Sequence, residues 1–157
     1  MEPIRFIVHL SILKPVAEVF NAVIQPEKLS GYFTATASAP MKEGTQVLWH
    51  FPEFSGEVPV LVRKIVPNEK IVMEWESMEG GYNTVVEMRF EALEKNATLV
   101  SISEEGWRPT SKGIWASYQN CGGWMNMLCC LKAYLEHGLN LRVGAFLKPE
   151  LYASPEP

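Results

Sequence analysis

The sequence is poor in cysteine, histidine and positive charge, and each shortage excludes a class of function. Its three cysteines contain no Cys-x-x-Cys pair and its three histidines are scattered, so we expect neither a metal site nor a cofactor. Fourteen Lys and Arg stand against eighteen Asp and Glu, which gives a net charge of −4. Because a nucleic-acid-binding domain needs a basic face to neutralise phosphates, we expect no nucleic-acid partner.

A long apolar run is also missing. The longest one, residues 121–131, is interrupted by Asn126, and it is shorter than the roughly 20 residues that a membrane-spanning helix needs. We therefore expect no membrane insertion. The N-terminus has no basic segment followed by an apolar one, and the cysteines are badly placed on one helix to form a disulfide. Both features favour a cytoplasmic location.

The chain has the length of one domain and the pattern of an antiparallel sheet. Residues 4–13 alternate between apolar and polar side chains, which predicts a strand. Runs rich in β-branched and aromatic residues predict five more strands, at 47–51, 57–66, 70–77, 82–93 and 98–105. Short turn sequences such as Gly80-Gly81 separate them, and connections this short favour antiparallel neighbours.

Three helices are predicted beside these strands. Pro15 opens the first, and residues 27–33 form a second short helical turn. The third covers residues 111–137, about 40 Å at 1.5 Å per residue. Seven-residue spacing predicts its buried side, a line of Ile114, Cys121, Leu128 and Leu135 flanked by Ser117, Tyr118, Trp124, Met125 and Leu131. Cys130 lies about 180° from Cys121 on a helical projection, so we expect its side chain to be exposed.

Two adjacent glycines, Gly122 and Gly123, interrupt the long helix. Each costs roughly 1 kcal/mol relative to alanine, so their presence needs a reason. Close packing against a neighbouring element is the interpretation we favour, and a local hinge is the alternative.

The element order and several short motifs resemble a known family. A strand, two short helices, a run of antiparallel strands and a long helix follow one another, and the long helix is able to cover the dry face of the sheet. The motifs are Leu13-Lys14-Pro15-Val16, Val19-Phe20, Pro26-Glu27-Lys28-Leu29 and Tyr32-Phe33 at one end, and Gly106-Trp107, Gly123-Trp124, Leu131-Lys132 and Leu135-Glu136 at the other. Together they resemble the AHSA1-like group of the START/Bet v 1-like (SRPBCC) superfamily.

This resemblance implies a fold. It is the α+β helix-grip fold, in which a curved antiparallel sheet of about seven strands surrounds a long C-terminal helix, with two short helices after the first strand. We expect one such domain over residues 1–147. Residues 148–157, which include three prolines, would form a loose C-terminal tail.

The resemblance implies several functions rather than one. Its members bind lipids, sterols or polyketides, some cyclise or dehydrate such substrates, and one branch stimulates the Hsp90 ATPase. The Hsp90 stimulators carry an additional N-terminal domain, and nothing precedes the first predicted strand here. We therefore do not carry that activity over on resemblance alone, since function differs among hosts of one fold.

The candidate binding site is the space between the sheet and the long helix. Aromatic and methionine side chains make large, adaptable walls for an apolar ligand, although the same side chains would also fill a solid core. The predicted ligand-binding residues are Met73, Trp75, Met88, Phe90, Ile102 and Glu104 from the strands, and Tyr118, Cys121 and Met125 from the helix.

Glu104 is the most informative of these positions. Strict alternation places it on the dry face with Ile102, where a carboxylate costs several kcal/mol unless it is paired. There it would anchor a ligand or act as its proton donor. The interpretation that we favour, however, is that the strand twists or ends at this point and Glu104 meets water or Arg108.

Three functions are compatible with these observations. The first is the binding of a small hydrophobic molecule in the cavity. The second is a cyclase- or hydrolase-like enzyme that uses Glu104, Tyr118 or His50, which an inward cluster of titratable groups would favour. The third is a protein-interaction role with a chaperone partner, which a filled core with an exposed apolar patch would favour. The sequence leaves the ligand and the oligomeric state open.

Overall fold

The computed structural model describes residues 2–153 and has the α+β architecture that the sequence predicts. The helices are α1 (Val16–Ile24), α2 (Pro26–Leu29) and α3 (Ser111–His137). The strands are β1 (Ile4–Ile12), β2 (Thr36–Ala37), β3 (Gln46–His50), β4 (Val58–Val66), β5 (Lys70–Glu76), β6 (Asn83–Glu94) and β7 (Ala97–Trp107). A short 3-10 helix follows at Pro149–Tyr152.

The seven strands form a single antiparallel sheet in the order β1-β7-β6-β5-β4-β3-β2. Strands β2 to β7 form a meander, and β1 joins its far edge by pairing with β7 along its whole length. Six of these strands match those predicted from the sequence. The seventh, β2, has only two residues, too few to give a periodic signal.

One face of this sheet packs against α3, as the alternation predicts. Every second residue of β7 is buried, from Thr98 to Glu104, and the facing residues of β5 and β6 include the fully buried Met73 and Met88. Trp107 ends the strand, so β7 extends beyond the predicted end at residue 105. The extended strand keeps Glu104 inside the ladder and fixes its side chain on the covered face.

Both ends of α3 are set by local chemistry, and the predicted bounds 111–137 are confirmed. At the N-terminus, the Thr110 side chain accepts a hydrogen bond from the Gly113 backbone N–H at 2.9 Å. At the C-terminus, Gly138 adopts φ 67°, the left-handed conformation that glycine adopts without steric cost. The cap residues therefore define this helix independently of its packing.

The buried face of α3 agrees with the predicted one only in part: Leu128 and the flanking Ser117, Trp124 and Leu131 are buried, but other predicted positions are not. The buried residues of the helix are Gly113, Ala116, Ser117, Trp124, Met127, Leu128, Cys130 and Leu131. Ile114 is exposed, and Cys121 is only half-buried. The expectation that Cys130 is exposed is wrong, because the segment after α2 covers that side of the helix, where Tyr32 packs on Tyr134 with ring centroids 5.5 Å apart.

The glycines of α3 give a matched test of this packing. A Cβ at Gly113 would overlap the backbone carbonyl of Arg108, whereas a Cβ at Gly122 would meet no atom within 4 Å. We expect Gly113→Ala to lower the free energy of unfolding by about 3 kcal/mol through overpacking. The control Gly122→Ala should raise it by up to about 1 kcal/mol through helix propensity. Urea unfolding measures both, and equal effects of the two substitutions would contradict this packing.

The chain beyond α3 does not leave the domain at once. Residues 139–153, here called the C-terminal strap, turn back so that Arg142, Phe146 and Tyr152 lie beside Phe33 and Phe51 around one hollow. The predicted loose tail covers residues 148–157, of which 154–157 lie outside the described residues. Its predicted boundary at residue 147 stays a prediction.

Candidate functional site

The site begins with three aromatic rings that stack between the sheet and α3. Trp75 of β5 lies against Trp124 of α3 with ring centroids 5.2 Å apart and planes 29° from parallel. Phe33, which follows α2, also stacks on Trp124, with ring centroids 5.7 Å apart and planes 30° from parallel. Such offset stacks contribute about 0.5–1.5 kcal/mol per pair beyond the area that they bury. The result is an apolar aromatic wall built from β5, α3 and the segment after α2.

Glu104 holds this wall from behind. It is fully buried, and its carboxylate accepts hydrogen bonds from the indole N–H groups of Trp75 (2.9 Å) and Trp124 (2.8 Å). The Thr84 hydroxyl donates at 2.6 Å, and the Asn120 amide nitrogen donates to both carboxylate oxygens at 2.9 and 3.1 Å. The placement of Glu104 on the covered face by alternation is confirmed. The expectation that its side chain meets water or Arg108 is wrong. One carboxylate thus orients both indoles of the wall.

Burial raises the pKa of the Glu104 carboxyl above its usual range, and the hydrogen bonds from Thr84, Trp75, Trp124 and Asn120 oppose that rise. No cation takes part in these contacts; every donor is a neutral hydroxyl, indole or amide. The group is therefore a buried carboxyl whose charge is solvated by protein dipoles alone.

This raised pKa has a consequence for stability against pH. A carboxyl whose pKa is higher in the folded state binds its proton more tightly there, so folding is favoured at low pH and loses that contribution as pH rises through the folded-state pKa. Relative to Glu104→Gln, which does not titrate, the wild type should lose stability as pH rises from about 4. Urea unfolding from pH 4 to 8 measures the difference. If instead the wild type becomes more stable than Glu104→Gln as pH rises, the four hydrogen-bond donors lower the pKa of Glu104 more than burial raises it.

The opposite side of the site is a stretch of α3 without side chains. Gly122 and Gly123 are exposed and border the hollow, and a Cβ at either position would meet no atom within 4 Å. The interpretation that close packing explains these glycines is therefore wrong. Their missing side chains leave open space next to the helix backbone, flanked by Asn120 and Asn126.

The C-terminal strap closes one side of the hollow through a buried ion pair. The Arg142 guanidinium donates from Nε and Nη2 to the two Glu53 oxygens, at 2.8 and 3.2 Å. Both side chains are almost fully buried, 12% and 7% exposed. The guanidinium also lies 4.5 Å from the ring centroid of Phe146, and Phe146 packs edge-on against Tyr152. Arg142 thus joins the strap to the domain, through Glu53 and through the rings of Phe33 and Phe51, whose centroids are each 5.6 Å from the guanidinium.

Together these walls enclose a pocket of about 670 Å³ that is open on one side. Its lining is predominantly apolar and aromatic, with a few amide groups. The lining residues are Phe33, Phe51, Glu53, Phe54, Val58, Trp75, Glu76, Met78, Tyr118, Gln119, Asn120, Gly122, Gly123, Trp124, Asn126, Arg142, Phe146 and Tyr152. Size and composition both fall in the range of small-molecule sites.

The structure brings two of the nine predicted ligand-binding residues to this pocket, Trp75 and Tyr118. Glu104 lies behind the wall and reaches the pocket only through the residues that it orients. The remaining predicted residues do not line it. Met73, Met88, Phe90 and Ile102 are buried in the core, and Cys121 and Met125 are half-buried on α3. A role for any of the nine in binding stays a prediction.

The three residues considered for catalysis do not come together. Tyr118 is 71% exposed at the rim, whereas Glu104 is fully buried. His50 is half-buried on β3, and its Nδ1 forms a hydrogen bond with the Gly56 carbonyl at 2.9 Å. These three residues therefore do not form the inward cluster of titratable groups that would favour an enzyme.

Several residues of the pocket were not predicted. Phe33 belongs to the aromatic pair Tyr32-Phe33, which indicates the family but not a site, and Gly122-Gly123 is a costly interruption of a helix. The sequence favours packing as the reason for these glycines, whereas the structure places them beside open space. Glu53 and Arg142 carried no signal, because they are 89 residues apart in a loop and in a tail without periodicity.

The described residues contain neither a cluster of metal-binding side chains nor a membrane-spanning helix. Among residues 2–153, no group of three or more His, Cys, Asp or Glu side chains is arranged to hold a metal ion. Within the same residues, none of the helices has the length and hydropathy to span a membrane.

Solved structures of similar fold come from several sources. Protein SSP2350 from Staphylococcus saprophyticus superposes with a TM-score of 0.76 at 25% identity, covering 88% of this chain and 96% of that one. DynU16, from the dynemicin biosynthetic locus, superposes with a TM-score of 0.73 at 25% identity, covering 85% of this chain and 48% of that one. The Aha1 dimer from Colwellia psychrerythraea superposes with a TM-score of 0.71 at 21% identity, covering 86% of this chain and 98% of that one.

The sequence itself matches one family. No curated protein matches the chain significantly. The family model described as "Activator of Hsp90 ATPase homolog 1-like protein" matches residues 14–136, which include everything from the end of β1 almost to the end of α3. The fold, the sheet order and this match agree, and the chain belongs to the AHSA1-like family.

Proposed function

We propose that this protein binds a small hydrophobic molecule in the pocket between the sheet and α3. The observation that carries the proposal is the space beside Gly122 and Gly123, where the helix presents bare backbone to the hollow of about 670 Å³. A chain that needed only a solid core would gain up to about 1 kcal/mol from alanine at each of these positions. Glycine at both positions leaves the space beside the helix open, so that a ligand can occupy it.

The character of the walls supports an apolar ligand. Phe33, Trp75 and Trp124 contribute aromatic rings to the lining, and Met78 and Phe54 at the edge are 44% and 47% exposed. Exposed apolar side chains grouped at the edge of a pocket are typical of binding sites. The amides of Gln119, Asn120 and Asn126 supply the few polar contacts that orient a ligand.

The test is a binding screen with fatty acids, sterols and aromatic compounds, followed by a variant that fills the pocket. We expect Gly123→Leu, which places a side chain in the open space, to weaken binding of any hit at least about tenfold. Cys129→Leu adds the same side chain at an exposed position of α3 that does not line the pocket, so it should bind as the wild type does. Thermal shift detects the hits, since a ligand at 100 times its Kd stabilises the protein by about 2.7 kcal/mol.

The outcomes are distinct. A hit that Gly123→Leu abolishes and Cys129→Leu leaves unchanged would support the pocket as the binding site. A hit that both variants bind equally well would place the ligand elsewhere on the protein. If no compound of any class shifts the unfolding midpoint, the proposal is wrong.

A second candidate is a protein-interaction role, and the C-terminal strap is the observation in its favour. Five apolar side chains of the strap are more than half exposed: Leu139, Leu141, Val143, Leu147 and Leu151. An apolar surface of this kind is typical of an interaction site. Stimulation of an Hsp90 ATPase by the wild type, and its loss in Leu147→Asp, would support this role. An unchanged ATPase rate would contradict the chaperone form of it.

A further inference from the structure

The structure assigns to Asn120 the part of a hydrogen-bond acceptor for the ligand, and the ligand class is therefore an uncharged aromatic molecule that carries a hydroxyl group. This inference rests on the proposed function, because it concerns the same pocket. It adds which atom of the protein selects the ligand, and why that atom is an acceptor rather than a donor.

The orientation of the Asn120 amide follows from Glu104. An amide nitrogen is a donor and a carboxylate is only an acceptor, so the end of the amide that faces Glu104 is its nitrogen. The Oδ1 atom is thereby left as the free end. No group among residues 2–153 donates a hydrogen bond to it, and Asn120 lines the pocket. A hydroxyl group of a bound molecule is its natural partner.

Asn126 is oriented in the opposite sense. Its Oδ1 atom accepts from the Cys130 thiol at 3.6 Å, which leaves its Nδ2 hydrogens for a ligand. The two asparagines lie six positions apart on α3, about 9 Å along the helix axis at 1.5 Å per residue. Between them is the backbone of Gly122 and Gly123, where an added Cβ would meet no atom within 4 Å, so there is room for a flat ring system beside the helix.

The charges at the pocket argue against an anionic ligand. Among the described lining residues, Arg142 is the cation, and both Glu53 oxygens already occupy its Nε and Nη2 donors. The other charged lining residue is Glu76, which repels an anion. A ligand carboxylate would lose its hydration without gaining a counter-ion, which is costly. A phenolic or alcoholic hydroxyl group makes the same contact to Asn120 without that cost.

Three compounds with one ring skeleton test this assignment: 2-naphthol, its methyl ether 2-methoxynaphthalene, and 2-naphthoate. Isothermal titration at pH 7 gives their affinities. We expect 2-naphthol to bind about fivefold to tenfold more tightly than the methyl ether, since the ether leaves the Asn120 oxygen without a donor. 2-Naphthoate should bind more weakly than either. In Asn120→Leu, the ratio of the naphthol and ether affinities should fall to about one.

Each result bears on the assignment. Equal affinities for 2-naphthol and its ether on the wild type, with both lost in Gly123→Leu, would overturn the role of Asn120 while leaving the binding pocket intact. Tightest binding of 2-naphthoate would overturn the exclusion of anions. Binding of fatty acids or sterols from the screen without any naphthalene would overturn the aromatic class. If nothing in the screen binds, the proposed function itself fails. The wild-type comparison of ligands decides the matter even if Asn120→Leu does not fold.

Discussion

Glu104→Ala is expected to lower the free energy of unfolding by about 3 kcal/mol or more, which is a large part of the stability of a domain this size. The substitution leaves two indole N–H groups and the Thr84 hydroxyl without their acceptor in the interior. Each unsatisfied buried donor costs about 1–3 kcal/mol, although such costs are not additive. Urea unfolding followed by circular dichroism measures the loss.

The neighbouring residue supplies the control for this prediction. Glu105 lies on the same strand with its side chain exposed on the other face, so Glu105→Ala should change stability by less than about 0.5 kcal/mol. Glu104→Gln keeps one acceptor oxygen and should fall between the wild type and Glu104→Ala. If Glu104→Ala is as stable as the wild type, the Glu104 carboxylate does not hold the indoles of the aromatic wall in place.

Glu53→Gln is expected to release the C-terminal strap from the pocket. It leaves the Arg142 guanidinium buried without its counter-charge, and removing one partner of a buried pair costs about 3–5 kcal/mol. The strap can escape that cost by moving into water. Hydrogen exchange should therefore show lost protection in residues 139–153, whereas the Trp124 to Leu131 region of α3 keeps its protection.

Two controls separate the charge from the packing. The double substitution Glu53→Leu with Arg142→Met replaces the pair by apolar side chains and should restore protection of the strap, because apolar substitutes for a buried pair are often neutral. Arg63 and Glu74 form an ion pair with a similar 2.8 Å contact at the surface, and Arg63→Met should have little effect. A strap that stays protected in Glu53→Gln would show that contacts other than the ion pair suffice to hold it.

The strands and the bounds of α3 could be predicted because their signals are local. Alternation over β5, β6 and β7 reports which side chains share a face, and it placed Glu104 correctly even though a buried carboxylate is unusual. Thr110 and Gly138 mark the ends of α3 by chemistry within one turn. Neither signal depends on what packs against the element.

The buried side of α3 could not be predicted in the same way. Apolar residues occur all around this helix, so periodicity does not decide which part of the predicted side is fully buried, the line through Cys121 or the flank with Trp124 and Leu131. What decided between them was contact with other elements. The segment carrying Tyr32 covers Cys130 on one side, and the pocket on another side leaves Tyr118 exposed.

By itself, the sequence determined the α+β class, the antiparallel strands, the long helix and the family, because each rests on periodicity, caps or motifs that lie close together in the chain. Only the tertiary structure decided where the pocket lies. Its walls come from a loop at Glu53, from β5, from α3 and from the strap at Arg142. Contacts between residues so far apart in the chain leave no local pattern, and an open space, unlike a packed contact, is specified by the side chains that are missing from it.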